Sequence, residues 1–349
     1  MQETICKETQ NRQASIKMPT LYVLEPGARL EKDYQRLLVV KNDELLMRVP
    51  IQRVTQVVLI GRVGATTPAL HALLQAEIPL LLVSRSGKLQ GRLLPPTAAN
   101  LPLRQEQYRR NDDHAFCLAL TQALVTAKIQ NQRVLALRLA RRHDHIDKQP
   151  LHALKTAIAQ AKTATHINTL RGIEGSAARR YFAAYRQAFA PEWAFNKRTR
   201  RPPKDPVNAL LSLGYSFLTQ NMMMALEAVG LDPYLGYFHA EKYNRPALAL
   251  DLVEEFRTPI VDSLVLSLIN HRILKATDFT KESSQTGVFL TPHGFRKFLH
   301  KYSAKLESEF KSRELGRSIS YRKLFEVQAR KLAHTIQGNE AAYHPFRMR

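Results

Sequence analysis

The sequence predicts an α+β protein in which a β-rich N-terminal domain with one helix precedes an all-α domain. Three observations carry this. Short apolar runs broken by turn residues fill the chain up to residue 95; the segment PPTAANLP, Pro95 to Pro102, interrupts the pattern; and beyond it the apolar residues recur with a period near 3.6. The expected divisions are a polar extension over 1–17, a β-rich domain over 18–95, a linker over 96–103, a helical domain over 104–338 and a tail over 339–349.

The elements follow in order. LYVL, RLLVVKND, ELLMRVPI and RVTQVVLIG read as strands, with Pro-Gly and Asn-Asp at the turns between them. TTPALHALLQAE reads as a helix with Thr67 as N-cap and Pro68 in its first turn. IPLLLVS reads as a buried strand, and a turn at Ser86-Gly87 leads to a short strand in LQGRLLP. Past the break, AFCLALTQALVTAKIQNQRVLALRLARR and VNALLSLGYSFLTQNMMMALEAVG carry apolar stripes without β-branched runs, so both predict helices. The last patterned helix spans Tyr321 to Gln337.

Composition narrows the partner. The chain has 349 residues, with 52 Lys and Arg against 30 Asp and Glu, a formal net charge of +22. Such an excess favours a polyanion, because each phosphate contact releases counterions. Arg outnumbers Lys, and Arg grips phosphate bidentately, which points to nucleic acid. Two cysteines exclude a disulfide framework and a Cys-ligated zinc site. No apolar secretory segment follows the start, and a cytoplasmic protein is expected. The least charged window, Val207 to Leu226, is too rich in Asn, Gln, Ser and Thr to span a bilayer and predicts a buried helix, so no membrane partner is expected.

Several motifs compete for chemistry. The strand-turn-helix-strand around Gly61 and Gly64 lacks a third glycine and a Walker lysine, so a structural turn is the default and a nucleotide-dependent enzyme the rival. HDHID, His143 to Asp147, reads as a solvated connection between helices. In LRGIEGSAARRYF, Glu174 stands between Gly172 and Gly175 before an Ala- and aromatic-rich stretch; it is either a metal-approaching carboxylate or an acid favoured by a helix N-terminus. In GYFHAEKYNRPALALDLVEEFR, Asp251, Glu254 and Glu255 fall at i, i+3 and i+4, a short connection after His239. One imidazole with two carboxylates, the second from Glu174, suits Mg2+ or Mn2+; a solvated acidic helix face is the alternative. Asp262 is assigned to a helix opened by Thr258 and Pro259.

The surroundings favour the metal reading. Residues 171–205 hold nine Lys or Arg against three acids, and residues 296–331 hold eleven against four. Acidic ligands set in basic, aromatic-bearing surface are what phosphodiester chemistry requires. Arg198, Arg200, Arg201 and Lys204 are the candidates for gripping a DNA backbone. Asn208, Ser212 and Tyr215, at i, i+4 and i+7 of the next helix, either line the site or pack.

LRGIEGSAARRYF, RPPKDPVNALLSLGYSFL, GYFHAEKYNRPALALDLVEEFR and SYRKLFEVQARKLA resemble, in order and spacing, the CRISPR-associated protein one family of spacer-acquisition integrases, and the similarity runs over about residues 18–346. The resemblance implies a homodimer formed through the β-domains, assembled with a small ferredoxin-like partner into a hetero-hexameric integrase that acts on double-stranded DNA of the prespacer and the CRISPR repeat. It implies metal ligands at Glu174, His239 and Glu254, with Asp251 orienting that shell and Glu255 a geometric competitor for Glu254. The implied reaction joins 3′-hydroxyl ends of short foreign DNA into the array by transesterification, with endonuclease activity when water attacks instead. The rival reading is a non-catalytic helical DNA-binding protein with a structural acidic cluster.

Overall fold

The computed structural model describes residues 20–85, 87–95, 100–143, 145–200, 202–240, 242–281, 287–312 and 314–348. The 1–17 extension, Ser86, residues 96–99 of the expected linker, Asp144 and Arg201 lie outside them. The chain divides into two compact units, residues 1–84 with 89–95, and 85–88 with 96–349.

The first unit contains β1 (Leu21–Val23), β2 (Arg29–Asp33), β3 (Arg36–Lys41), β4 (Glu44–Pro50), β5 (Val57–Ile60), β6 (Gly64–Ala65), α1 (Thr67–Gln75), β7 (Leu80–Val83) and β8 (Leu89–Leu93). They form two four-stranded sheets, β1-β5-β7-β8 and β4-β3-β2-β6. β1, β5 and β7 run parallel, the β5-to-β7 crossover being made through α1, and β8 returns antiparallel. Turn chemistry sets the hairpins. Asn42 and Asp43 both take positive φ, and Lys41 pairs with Glu44 across them, the two-residue loop whose twist suits a hairpin. Glu25-Pro26-Gly27-Ala28 closes with an Ala28 N–H to Glu25 O bond of 3.1 Å, and Gly27 sits at φ 82°. Leu30, Leu37, Val57, Leu73 and Leu80 pack both sheets and α1 into one core.

One expectation shifts here and one holds. The cap of α1 is Thr66, whose hydroxyl accepts from Ala69 N–H, not Thr67, which already lies within the helix. Gly61 and Gly64 shape a structural turn, with Gly61 at φ 76° and Gly64 N–H bonded to Ala28 O at 3.0 Å.

The second unit is helical: α2 (Leu101–Asn111), α3 (His114–Arg142), α4 (Gln149–Thr163), α5 (Ile167–Tyr185), α6 (Pro206–Val229), α7 (Ala247–Val253), α8 (Ser263–Asn270), α9 (Pro292–Glu307) and α10 (Tyr321–Ile336). Side-chain caps start most of the long ones: Asn100 for α2, Asp113 for α3, Asp205 for α6, Thr291 for α9 and Ser320 for α10. Gly230, at φ 98°, ends α6. The unit is not purely helical, because β9 (Phe279–Lys281) pairs with β10 (Val288–Leu290) and β11 (Glu309–Ser312) with β12 (Arg317–Ser320). α2 begins inside the expected linker, since Asn100 caps it and Pro102 suits its first turn.

The centre of this unit is α6 and the chain from α7 to α8, buried almost throughout. Arg257–Asp262 form a π-helical turn between α7 and α8 rather than the start of an ordinary helix. The residues after α10 pack onto the unit: Tyr343 is buried, and Phe346 stacks on Phe256 at 5.9 Å. Among the described residues no helix is long and apolar enough to cross a membrane.

Candidate functional site

Four segments meet around the carboxylates. α3 supplies Lys128, α5 supplies Glu174, the loop after α6 supplies His239, and the end of α7 supplies Asp251 and Glu254. The loop is shaped from within. Asp251, fully buried, accepts the backbone N–H groups of Tyr237 at 2.7 Å, Phe238 at 3.0 Å and His239 at 2.9 Å. The same carboxylate meets His239 Nδ1 at 2.7 Å, which fixes the ring and turns Nε2 toward Glu254 Oε1, 3.9 Å away. Only glycine fits at 236, because a Cβ there would lie 2.7 Å from Ala247 and 2.9 Å from Asp251 Oδ2. Arg171, one turn before Glu174, donates to Phe238 O at 2.7 Å and ties α5 to the histidine loop.

Glu254 is 4% exposed. Burial alone would raise its pKa, but the charges of Arg257, Lys128 and His239 outweigh that and hold it at about 2. Its two oxygens face different cations: Arg257 Nε lies 3.1 Å from Oε1, and Lys128 Nζ 2.5 Å from Oε2. Both are close ion pairs that hold the buried carboxylate from two sides. Lys128 also bonds Glu174 Oε1, and its ammonium therefore stands between the two carboxylates.

Glu255 points elsewhere. It accepts from Tyr343 Oη at 2.6 Å, from Gln328 Nε2 at 3.0 Å and from Phe346 N–H, and burial raises its pKa to about 7 against those bonds. Of the two adjacent glutamates, Glu254 faces Glu174 and His239. Asp262 lies in a third environment, bonded to Tyr181 Oη at 2.7 Å and Tyr215 Oη at 2.5 Å, with burial raising its pKa.

Among the described residues no three His, Cys, Asp or Glu stand close enough together to hold a metal ion. The donor chemistry nonetheless fits a divalent cation. Glu174 and Glu254 converge on one cationic position, now taken by Lys128, and the Nε2 of His239 faces the other oxygen of Glu254.

The basic candidates separate. Arg198 is held inside the unit, bonding Asn208 Oδ1 at 2.8 Å and Ser212 Oγ at 3.0 Å, with its guanidinium 5.5 Å from the Tyr215 ring centre. Asn208 is buried and further bonded to Asp205 and Lys197 O, so Asn208, Ser212 and Tyr215 brace Arg198 and Asp262. Arg200 and Lys204 are exposed. Gly172 and Gly175 flank Glu174 on an open side of α5, where an added Cβ would meet nothing within 4 Å; Glu174 itself sits inside this helix, not ahead of it. His143 and His145 stay in the connection after α3, His145 against Gln187 O at 2.9 Å.

Lys128, Arg257 and Arg171 were not singled out from the sequence. Lys128 had a readable signal: it lies on the stripe Leu120, Leu124, Lys128, Asn131, Leu135, where a charge is exceptional unless paired.

A β-rich unit followed by a helical unit that gathers two glutamates, an imidazole and paired cations beside exposed arginine defines a class of nucleic-acid-handling protein with a carboxylate–histidine centre. The family model for CRISPR associated protein Cas1 matches residues 21–304, and the chain belongs to that family. It is 36% identical to the CRISPR-associated endonuclease Cas1 3 of Thermus thermophilus over 94% of this chain and 97% of that protein. It is 37% identical over 93% of its length to a CRISPR-associated exonuclease Cas4/endonuclease Cas1 fusion of Geobacter sulfurreducens, of which it spans 60%. Among solved structures, a chain of a Cas6-RT-Cas1–Cas2 complex superposes with a TM-score of 0.79 and 30% identity, covering 93% of this chain and 36% of that one.

Proposed function

We propose that the protein is a metal-dependent DNA integrase and endonuclease of CRISPR adaptation. The observation that carries the reading is that Glu174 and Glu254 meet on one ammonium while His239 Nε2 lies 3.9 Å from the other oxygen of Glu254, three separate segments brought together in a member of the Cas1 family. Glu174, His239 and Glu254 would hold Mg2+ or Mn2+, which when bound would acidify the attacking hydroxyl and stabilise charge at phosphorus. Asp251 keeps the imidazole oriented, with Nδ1 occupied and Nε2 available. Arg257 holds Glu254 ionised and in place. Arg200 and Lys204 grip the DNA backbone from the surface, and Arg198 stiffens the segment that carries them.

The reaction is a transesterification. A 3′-hydroxyl of the incoming duplex forms a new P–O bond at the edge of a repeat, the existing P–O bond breaks, and its 3′-hydroxyl leaves with the proton balance restored. With water as attacker the same exchange is hydrolysis. Two copies would pair through their β-rich units: β4 is a sheet edge on which Leu45, Leu46 and Met47 are each more than two-fifths exposed. A small ferredoxin-like protein would complete a hetero-hexamer in the cytoplasm, in keeping with the Cas1–Cas2 complex named for the similar structure.

One observation favours the non-catalytic reading: Lys128 already neutralises the carboxylates. The test is incubation of the protein with a repeat-containing plasmid, a short duplex with free 3′ ends, the small partner and Mg2+ or Mn2+. Joined products are expected from the wild type and none from His239→Ala or Glu254→Ala. Joining that survives either substitution would leave a DNA-binding protein alone.

A further inference from the structure

Lys128 is an unusual tenant for a metal site. It is 7% exposed, and its ammonium contacts Glu174 and Glu254 Oε2, the oxygens on which the proposed ion would draw. The division of labour at Glu254 is informative. Arg257 takes Oε1, and it is anchored independently, its guanidinium 4.6 Å from the Tyr215 ring centre. Lys128 takes the other oxygen, Oε2, with Nζ 2.5 Å away. The lysine contact is made by a point charge on a flexible stem to a separate oxygen, so it can be released without loosening the glutamate from its arginine.

Charge balance points the same way. Glu174 and Glu254 bring two carboxylates together, and Lys128 and Arg257 supply two opposing cations. Without the ammonium the buried Glu254 and the partly exposed Glu174 would repel, and Lys128 prevents this before any ion arrives. A divalent ion added with the lysine still charged leaves an excess of positive charge at these groups, which phosphodiester charge offsets.

We propose that Lys128 is a resident counter-cation: it holds Glu174 and Glu254 in register in the metal-free protein, and a divalent ion must displace it from between them to bind. This makes Lys128 a positioning residue that lowers metal affinity until DNA phosphate arrives. The inference rests on the proposed metal site.

The test uses the full-length protein and Mn2+ alone, with free Mn2+ followed by electron paramagnetic resonance. Lys128→Met is expected to bind Mn2+ about tenfold more tightly than the wild type, since no buried charge pair has to be broken. Glu254→Gln is expected to bind it more weakly. In the unsubstituted protein, acetylation of the Lys128 amine, read by mass spectrometry, is expected to rise several-fold when Mn2+ is added, a readout that does not depend on the variant folding. Equal or weaker binding by a folded Lys128→Met, or labelling unchanged by Mn2+ that does bind, overturns the role of Lys128 and leaves the metal site standing. Mn2+ binding that is absent from both the wild type and Lys128→Met, or unaffected by Glu254→Gln, overturns both.

Discussion

Glu254 and Glu255 are adjacent, chemically identical and oppositely tuned. Guanidinium and ammonium hold the first at about 2, while burial lifts the second to about 7. A carboxyl whose folded pKa lies above its unfolded value keeps its proton better in the folded state, so its contribution to stability is full at low pH and is lost as pH rises from about 4.5 to 7. That loss is on the order of 3 kcal/mol. Thermal midpoints measured between those pH values should fall with rising pH for the wild type, and the slope should flatten in Glu255→Gln. Glu254 has the opposite sign: its contribution holds above 4.5 and disappears toward 2. Gly175 offers a second prediction. Alanine there should stabilise α5 by about 0.5–1 kcal/mol, because glycine loses more backbone freedom in a helix. Strand joining should stay unchanged, because the added methyl meets nothing within 4 Å. Of this site, the acids and the histidine were legible in the sequence because they stand in a basic, aromatic neighbourhood. Which glutamate turns inward was not legible, since i+3 and i+4 both satisfy a helical face and only the π-helical turn and the packed chain end separate them.

The segment after α10 acts as a strap. Asn131 donates to Glu255 O at 2.8 Å and Phe346 O at 3.1 Å and accepts from Met348 N–H at 2.7 Å, while Gln328 reaches Tyr343 Oη and His344 O, each at 3.1 Å. Asn131→Ala leaves the buried Glu255 carbonyl and two partly buried backbone groups, Phe346 O and Met348 N–H, without this partner, and an unpaired buried group costs about 1–3 kcal/mol. A lowered thermal midpoint, with joining activity reduced through the shared turn at Glu254, is the expected outcome. Arg198 and Arg200 provide a contrast that the sequence presented as one basic run. Arg200→Ala should weaken duplex binding and reduce its salt slope by about 0.9, whereas Arg198→Ala should chiefly lower thermal stability. Calorimetry and salt-titrated binding on both variants separate the roles. The positions of α3, α6 and α10 were legible from their period. The two small hairpins were not, because three- or four-residue strands carry too little alternation to stand out among helices.

For the molecule as a whole, two forces act on the approach of a second copy. The chain carries +22, so copies repel; β4 exposes Leu45, Leu46 and Met47 on an unpaired edge, so they attract at short range. Replacing Leu45 and Met47 with Lys should convert the proposed dimer to a monomer in sedimentation. Their outward placement was legible only as a strand run, since nothing in ELLMRVP says that both faces lie open. Salt acts on the two interactions in opposite directions. It screens the mutual repulsion and leaves apolar pairing intact, but it weakens every phosphate contact. The exposed edge of β4 therefore makes ionic strength a selector between assembly and cargo: concentrated salt should yield tightly paired copies stripped of DNA, and dilute salt should yield DNA-laden copies whose pairing the duplex itself helps to hold.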